Sequence, residues 1–171
     1  MKIAIVYSSV TGNTKTFAEK IKEKINEKDL VYFGKPSKDI KAADTYIVGS
    51  WTTKYSASPD ILNYLKTLKN KNIIIFQTAG YGDGIGYYDM IFTNIKNSID
   101  DSNKILGHYC CRCKVTNKVE ENYINKFLNN STNTQIKEIK EGFKKHNQNP
   151  TEEDINNIQN WIEEILNKKE S

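Results

Sequence analysis

A short buried strand runs directly into a polar loop and then into a helix at the start of this sequence. Residues 3–6, Ile-Ala-Ile-Val, are apolar and mostly β-branched, which is typical of a buried β-strand. Phe17, Ile21 and Ile25 recur every four residues, which places them on one face of a helix. The loop between them therefore lies at the carboxyl end of a strand and the amino end of a helix, where free backbone N–H groups and the helix dipole favour an anion.

This loop carries neutral hydrogen-bond donors and no catalytic lysine. Ser9, Thr11, Asn13 and Thr14 add side-chain donors to those of the backbone. The P-loop pattern G-x-x-x-x-G-K-[ST] and the dinucleotide pattern G-x-G-x-x-G are both absent from the sequence, which disfavours nucleoside triphosphate hydrolysis. Helix capping accounts for Asn13 or Thr14 alone, but not for the whole run of polar residues. The loop therefore predicts binding of a monophosphate.

The run Ser9-x-Thr11-Gly12-Asn13-Thr14, followed by Ala18 and Ile21 at the right spacing, closely resembles the phosphate loop of the flavodoxin family. In that family the loop holds the phosphate of flavin mononucleotide (FMN) through main-chain amides and neutral side chains. The resemblance covers roughly the first hundred residues firmly and the remainder more loosely. It implies that FMN binds at Ser9, Val10, Thr11, Gly12, Asn13 and Thr14.

Length and charge agree with one soluble domain. The 171 residues suit a single domain over 1–171 with a core large enough to fold alone. The formal net charge of +4 comes from lysines spread along helical faces rather than from a block, so nucleic-acid binding gains little support. No secretory hydrophobic segment precedes the first strand, and the apolar runs are too short to span a bilayer. We therefore expect a cytoplasmic protein that does not insert into membranes.

Apolar strand-like runs alternate with amphipathic helical patterns, which is typical of an α/β protein with a parallel sheet covered on both faces. Five strands are predicted, at 30–33, 46–49, 73–76 and 105–115 in addition to 3–6. The length of the fifth strand indicates an edge position or a local interruption. The resemblance implies a doubly wound, flavodoxin-like five-stranded sheet in the order 2-1-3-4-5.

Extra C-terminal helices follow the fifth strand and exceed a minimal flavodoxin. Apolar spacing predicts helices around 123–128, 136–143 and 155–165. Thr151 and Asp154 form a predicted capping box for the last of them. These helices either cover the sheet or line the edge of the flavin, and the sequence leaves both alternatives open.

In a sheet of this winding, ligands bind beyond the carboxyl ends of the strands, so the loops after strands one, three and four should converge. The segments 49–59 and 78–88 are predicted to be long aromatic loops there. Trp51 and Tyr81 are candidate walls for the flat isoalloxazine ring, because family members place stacking residues in these loops. Either aromatic residue could instead pack over the end of the sheet as part of the core.

The polar edge of the ring requires hydrogen bonds from the same two segments. Glycines at 80 and 82 allow close backbone approach, so that amides from Ala79 to Gly82 reach the pyrimidine edge. A negative charge at Asp83 would lower the potential of a nearby flavin, although a loop aspartate can equally be solvated. The remaining residues assigned to the cofactor are Ser50, Thr52, Thr53 and Thr78.

Two features depart from the family pattern. The loop after the third strand has Thr52, Thr53 and Lys54 where family members carry a glycine, and this disfavours stabilisation of the flavin semiquinone. Many electron-carrying flavodoxins are strongly acidic and dock to basic partners, whereas this chain is basic. We therefore expect a choice of partner that differs from that of the acidic carriers.

His108, Cys110, Cys111 and Cys113 form the other conspicuous cluster, on the fifth strand. Successive residues of a strand point to opposite faces, so Cys111 and Cys113 point one way and the other two point the other way. Such an arrangement rarely brings four metal ligands together, and we expect buried, reduced cysteines and no metal site. Neither histidine has an obvious serine or aspartate partner, and no catalytic residue is assigned.

Three functions are compatible with these residues. The first is an FMN-binding electron carrier between redox partner proteins, with a reductase or ferredoxin as donor and a reductive enzyme as acceptor. The alternative is a flavin-dependent oxidoreductase acting on a small molecule such as a quinone or tetrapyrrole. A non-redox binding module that has lost its cofactor is disfavoured by the intact phosphate loop.

Overall fold

The computed structural model describes residues 1–80, 85–128, 131–145 and 150–170, which form a mainly parallel sheet covered by helices on both faces. The strands are β1 Ile3–Tyr7, β2 Leu30–Gly34, β3 Thr45–Thr53, β4 Ser56–Ala57, β5 Asn72–Ala79 and β6 Lys104–Arg112. The helices are α1 Asn13–Lys22, α2 Pro59–Leu65, α3 Ile85–Lys96, α4 Asn117–Leu128, α5 Asn133–Lys145 and α6 Glu152–Glu170. None of the helices in these ranges is long and apolar enough to cross a membrane.

The strand order β2-β1-β3-β5-β6 confirms the predicted order, with β5 and β6 as the predicted fourth and fifth strands. These strands are parallel, and β4 is an addition that pairs antiparallel with β3. Helices α1 and α6 cover one face, where Phe17, Ile21, Ile158 and Ile162 contact a cluster that includes Ile5, Ile47 and Phe76. Helices α2 and α3 cover the other face with Ile61, Leu65, Ile91 and Ile95. Burial on both faces explains the continuous apolar runs in the central strands.

Strand β3 continues past its predicted end at Gly49 and returns as β4. Thr52 pairs with Ala57 and Thr53 with Ser56, so the two strands form a hairpin. The turn residues Lys54 and Tyr55 have φ of 48° and 58°, the left-handed values that a two-residue hairpin turn requires. The prediction of a long loop over 49–59 is therefore wrong, because Ser50, Trp51, Thr52 and Thr53 lie in a strand. Thr78 and Ala79 likewise belong to β5 and not to the loop after it.

Strand β6 lies at the edge of the sheet and is also interrupted. Ile73 pairs with Ile105 but Ile74 pairs with Gly107, so Leu106 is an extra residue that forms a bulge. Both alternatives raised by the length of this strand are therefore correct. A Cβ on Gly107 would lie 2.5 Å from Ile165 Cδ1 and 3.1 Å from Trp161 Cζ2, so α6 packs closely on the strand at this glycine.

The predicted C-terminal helices are present as α4, α5 and α6. The capping box of α6 is confirmed: Thr151 N donates to Asp154 Oδ2 at 2.9 Å, and Asp154 N donates to Thr151 Oγ1 at 3.1 Å. Helices α4 and α5 pack against each other through Tyr123 and Phe143, whose ring centroids lie 5.6 Å apart. Arg112, at the end of β6, donates to the carbonyl of Gly142 at 2.8 Å and ties α5 to the sheet.

Candidate functional site

The carboxyl ends of β1, β3 and β5 meet at one edge of the sheet, as predicted. Ser8 N donates to the carbonyl of Gly49 at 3.0 Å, which joins the end of β1 to β3. Trp51 pairs with Thr78 across β3 and β5. The hydroxyl oxygens of Thr78 and Thr14 lie 2.8 Å apart, which links β5 to the first turn of α1. The polar loop and the two predicted ring segments are therefore brought together.

The polar loop presents a row of backbone donors to solvent. Gly12 precedes α1 with φ of 96°, a left-handed conformation that favours glycine, and an added Cβ there would meet no atom within 4 Å. Within the described residues, the N–H groups of residues 10–14 have no hydrogen-bond acceptor. The first turn of α1 contains no acidic residue. This geometry forms a cradle for an anion at the positive end of the helix dipole.

The side chains of the loop divide into bracing and outward-facing groups. Asn13 Nδ2 donates to the carbonyl of Lys114 at 2.8 Å, and Thr14 is buried beside Thr78. Ser9 Oγ accepts a hydrogen bond from the N–H of Lys15 at 3.3 Å. Val10 and Thr11 are exposed at the tip of the loop. Asn13 and Thr14 therefore hold the loop in shape, while the backbone amides remain available to a ligand.

Ser50 and Thr52, both assigned to the cofactor from the sequence, have different surroundings on β3. Ser50 is fully buried, and its hydroxyl accepts from Ser58 N at 2.8 Å and donates to the carbonyl of Trp51 at 2.8 Å. The Ser50 hydroxyl therefore braces the hairpin. Thr52 Oγ1 is buried and has no hydrogen-bond partner in the part of the chain that the structure describes. Trp51 and Thr53 are half-buried beside it, so the hairpin offers an aromatic surface and one unused hydroxyl.

Helix α3 fixes the tip of this hairpin. Asn94 Nδ2 donates to the carbonyl of Tyr55 at 2.8 Å, and the ring of Tyr55 contacts the edge of Tyr87 at a centroid distance of 6.1 Å. Asn94 was not predicted from the sequence, because its partner is 39 residues away and no local pattern distinguishes it from other exposed polar residues of the helix. Asn94 thus positions a segment of the candidate site without belonging to it.

The second ring segment is described up to Gly80. Ala79 is buried and its carbonyl accepts from Cys113 N at 2.8 Å. A Cβ on Gly80 would clash with Val115 Cγ1, so close packing against the segment after β6 requires glycine there, a reason the sequence did not reveal. The predicted cofactor residues Tyr81, Gly82 and Asp83 lie outside the described residues. Their assignment stays a prediction.

A carboxylate lies next to the start of the polar loop. Burial alone would raise the pKa of Asp60, at the start of α2, but hydrogen bonds from Ser58 and Ser8 hold that pKa below its ordinary value. Asp60 is therefore ionised at neutral pH. The hydroxyl groups of Ser58 and Ser8 stabilise this negative charge, which remains beside the loop.

Cys111 and Cys113 lie on the opposite face of the sheet from His108, as predicted. Cys111 and Cys113 belong to the cluster under α1 and α6, whereas His108 stacks on Phe92 of α3, with ring centroids 4.4 Å apart. A hydrogen bond with Cys113, burial and the nearby Asp154 carboxylate all raise the pKa of the Cys111 thiol. Among the described residues, no group of three His, Cys, Asp or Glu side chains is arranged to hold a metal ion.

His108 should make the protein sensitive to acid. Burial lowers its pKa to about 4, against an ordinary value of 6.5, and Asp89 opposes the shift only in part. The unfolded chain therefore binds a proton first, and stability present above pH 6.5 is lost as the pH falls towards about 4. We expect wild type to lose about 2 kcal/mol more than His108→Gln between pH 7 and about 4.5, with allowance for partial exposure. Urea unfolding at both pH values measures this difference, and parallel losses in the two proteins would contradict it.

Comparisons with known proteins agree with this architecture. The family model described as a flavodoxin domain matches residues 4–163. The flavodoxin-like domain-containing protein BilS of Clostridium symbiosum is 36% identical over 140 residues, which cover 72% of this chain and 74% of the relative. BilS of Clostridioides difficile is 28% identical over 162 residues, covering 91% and 90%. The crystal structure of oxidised flavodoxin 2 from Bacillus cereus has the same fold, with a TM-score of 0.61 at 17% identity and coverage of 98% and 99%. The chain therefore belongs to the flavodoxin domain family.

Proposed function

We propose that this protein binds FMN at the carboxyl edge of its sheet and transfers electrons between redox partner proteins in the cytoplasm. The observation that carries the proposal is the row of free amides over residues 10–14, beside a left-handed Gly12. Backbone donors at a helix amino terminus suit a phosphate monoester held without a lysine. When bound, the flavin supplies the redox chemistry, and the protein supplies binding, orientation and electrostatics.

The other residues present also fit a flavin. Trp51 lies half-buried at the end of β3 and offers one aromatic wall, while the buried hydroxyl of Thr52 provides a donor for a polar ring edge. The hydrogen bonds from Ser58 N to the Ser50 hydroxyl and from Asn94 to the Tyr55 carbonyl hold these residues on the hairpin. We assign the second wall to Tyr81 and the remaining amides to the segment 79–82, by resemblance to the family.

A carrier is favoured over an enzyme with its own substrate pocket. A cavity of about 480 Å³, lined by Phe92, Lys96 and Ile105 among others, lies where α3 connects to the amino end of β6. It is therefore at the edge of the sheet opposite the proposed flavin site. Electron transfer from a reductase or ferredoxin to a reductive enzyme requires an accessible edge of the flavin ring. It does not require a substrate pocket beside the ring. Electron transfer to partners is also what members of this family generally do.

Flavin titration tests the proposal. The purified protein is titrated with FMN and, in parallel, with riboflavin, and binding is followed by visible absorbance and flavin fluorescence. Hydrogen bonds to a charged group contribute about 1.5–3 kcal/mol each, so two of them alone predict at least about 100-fold tighter binding of FMN. Failure to bind either flavin would overturn the proposed function, and equal affinities would show that the polar loop does not hold the phosphate. Catalytic turnover of a quinone without a partner protein would favour the enzyme.

A further inference from the structure

We infer that the partner surface that docks at this edge of the sheet is acidic, because the rim of the proposed flavin site carries three exposed lysines that lack carboxylate partners. The inference rests on the proposed function and adds the charge of the partner to it. The inference is based on the positions of these three charges and not on the net charge of the chain.

The three lysines stand on two sides of the polar loop. Lys54 occupies the tip of the β3–β4 hairpin. Lys114 lies directly beside the loop, since its carbonyl accepts the side-chain amide of Asn13 at 2.8 Å. Lys118 follows in the first turn of α4, which also contains the half-buried Glu120. All three side chains are exposed, and none forms an ion pair with a carboxylate in the described ranges. We call these three residues the lysine rim.

Acidic residues around the site do not form ion pairs with the lysine rim in the described ranges. The polar loop itself contains no charged residue. Asp60 and Asp89 are exposed, but Asp60 is hydrogen-bonded to Ser8 and Ser58, and neither carboxylate forms an ion pair in the described ranges. Lys15 is an additional cation, but it already pairs with Glu19 at 3.7 Å. Lys54, Lys114 and Lys118 therefore keep unpaired positive charges in the described part of the rim.

Exposed apolar side chains lie between the lysines. Val10 is 72% exposed at the tip of the polar loop, and Tyr55 is 52% exposed at the turn of the hairpin. An apolar centre surrounded by a charged rim is the usual anatomy of a transient protein interface. Unpaired rim charges act mainly by steering a partner of opposite charge and by raising the association rate. The geometry therefore favours an acidic redox protein over a basic one.

Two small oxidants of opposite charge test the electrostatic potential around the flavin site in the FMN-loaded protein. The reduced protein is mixed in a stopped-flow instrument with ferricyanide, an anion, or with tris(phenanthroline)cobalt(III), a cation, each accepting one electron per ion. Salt is raised from about 20 mM to about 500 mM, which shortens the screening length from about 20 Å to about 4 Å. We expect the ferricyanide rate to fall at least about fivefold and the cobalt rate to stay level or rise.

Charge-reversal variants assign the effect to residues. Lys54→Glu and Lys114→Glu should each slow ferricyanide about threefold or more at low salt and accelerate the cobalt complex. Lys104→Glu is the matched control, because it makes the same change in net charge at an exposed position on the opposite edge of the sheet. A ferricyanide rate that is insensitive to salt, or an equal effect of Lys104→Glu, would overturn the inference.

A second measurement does not depend on the flavin. The flavin-free protein is titrated with a hexaglutamate peptide while its backbone amide resonances are followed by NMR. We expect the largest shifts at Lys54 and Lys114–Lys118, and smaller ones at Lys104. Shifts at the lysine rim in a protein that binds no FMN would overturn the proposed function and support the acidic partner. Bound FMN without such shifts would overturn the acidic partner alone.

Discussion

A Thr11→Asp variant should bind FMN about 10³-fold more weakly than wild type while binding riboflavin with unchanged affinity. Thr11 is exposed at the tip of the polar loop, so the substitution leaves the core intact. An aspartate there places a negative charge against the proposed phosphate, and two unit charges about 4 Å apart repel by about 4 kcal/mol near a protein surface. Titrations followed by quenching of flavin fluorescence measure both affinities.

Thr67→Asp is the matched control for this variant. Thr67 is exposed just after α2, at the edge of the sheet opposite the loop, and its substitution adds the same charge. We expect its affinity for FMN to remain within about twofold of wild type. At about 0.1 M salt the screening length is about 10 Å, so a charge farther than that from the phosphate has little effect on binding. If Thr11→Asp retains nearly all of its FMN affinity, the phosphate does not lie in the 10–14 cradle.

The polar loop was predictable from sequence because every feature that defines it is local. A β-branched run, a string of small polar residues and a helical periodicity follow one another within the first 25 residues. Strand and helix then fix where the free amides point. The strand order followed from the family resemblance, because short apolar runs do not encode which strand lies beside which.

The hairpin was missed because its signals conflict. Trp51, Thr52 and Thr53 favour a strand by propensity, but the usual Asn-Gly or Asp-Gly turn signal is absent. Lys54 and Tyr55 adopt left-handed conformations that such residues rarely choose. The bond from Asn94 to the Tyr55 carbonyl helps to hold the turn, and a contact between residues so far apart leaves no trace in a local pattern.

Gly49 is a second residue whose role depends on a distant contact that the local sequence does not reveal. A Gly49→Ala variant should lose about 3 kcal/mol of unfolding free energy. A Cβ on Gly49 would lie 2.5 Å from Cε2 and 2.6 Å from Cε1 of Phe76, a fully buried ring. Urea unfolding followed by circular dichroism measures the loss. Gly86→Ala is the control, since an added Cβ there meets nothing within 4 Å and alanine should stabilise α3 by about 0.5–1 kcal/mol.

A double variant identifies the cause of the Gly49→Ala effect. Phe76→Leu alone should destabilise by leaving a cavity, but combined with Gly49→Ala it should recover at least about 1 kcal/mol of the lost stability, because each change makes room for the other. Simple addition of the two losses would show that the clash is not responsible. The carbonyl of Gly49 also accepts from Ser8, and Trp51 follows two residues later, so a displaced β3 moves both the loop and the ring segment. FMN affinity should therefore fall in Gly49→Ala and recover in the double variant.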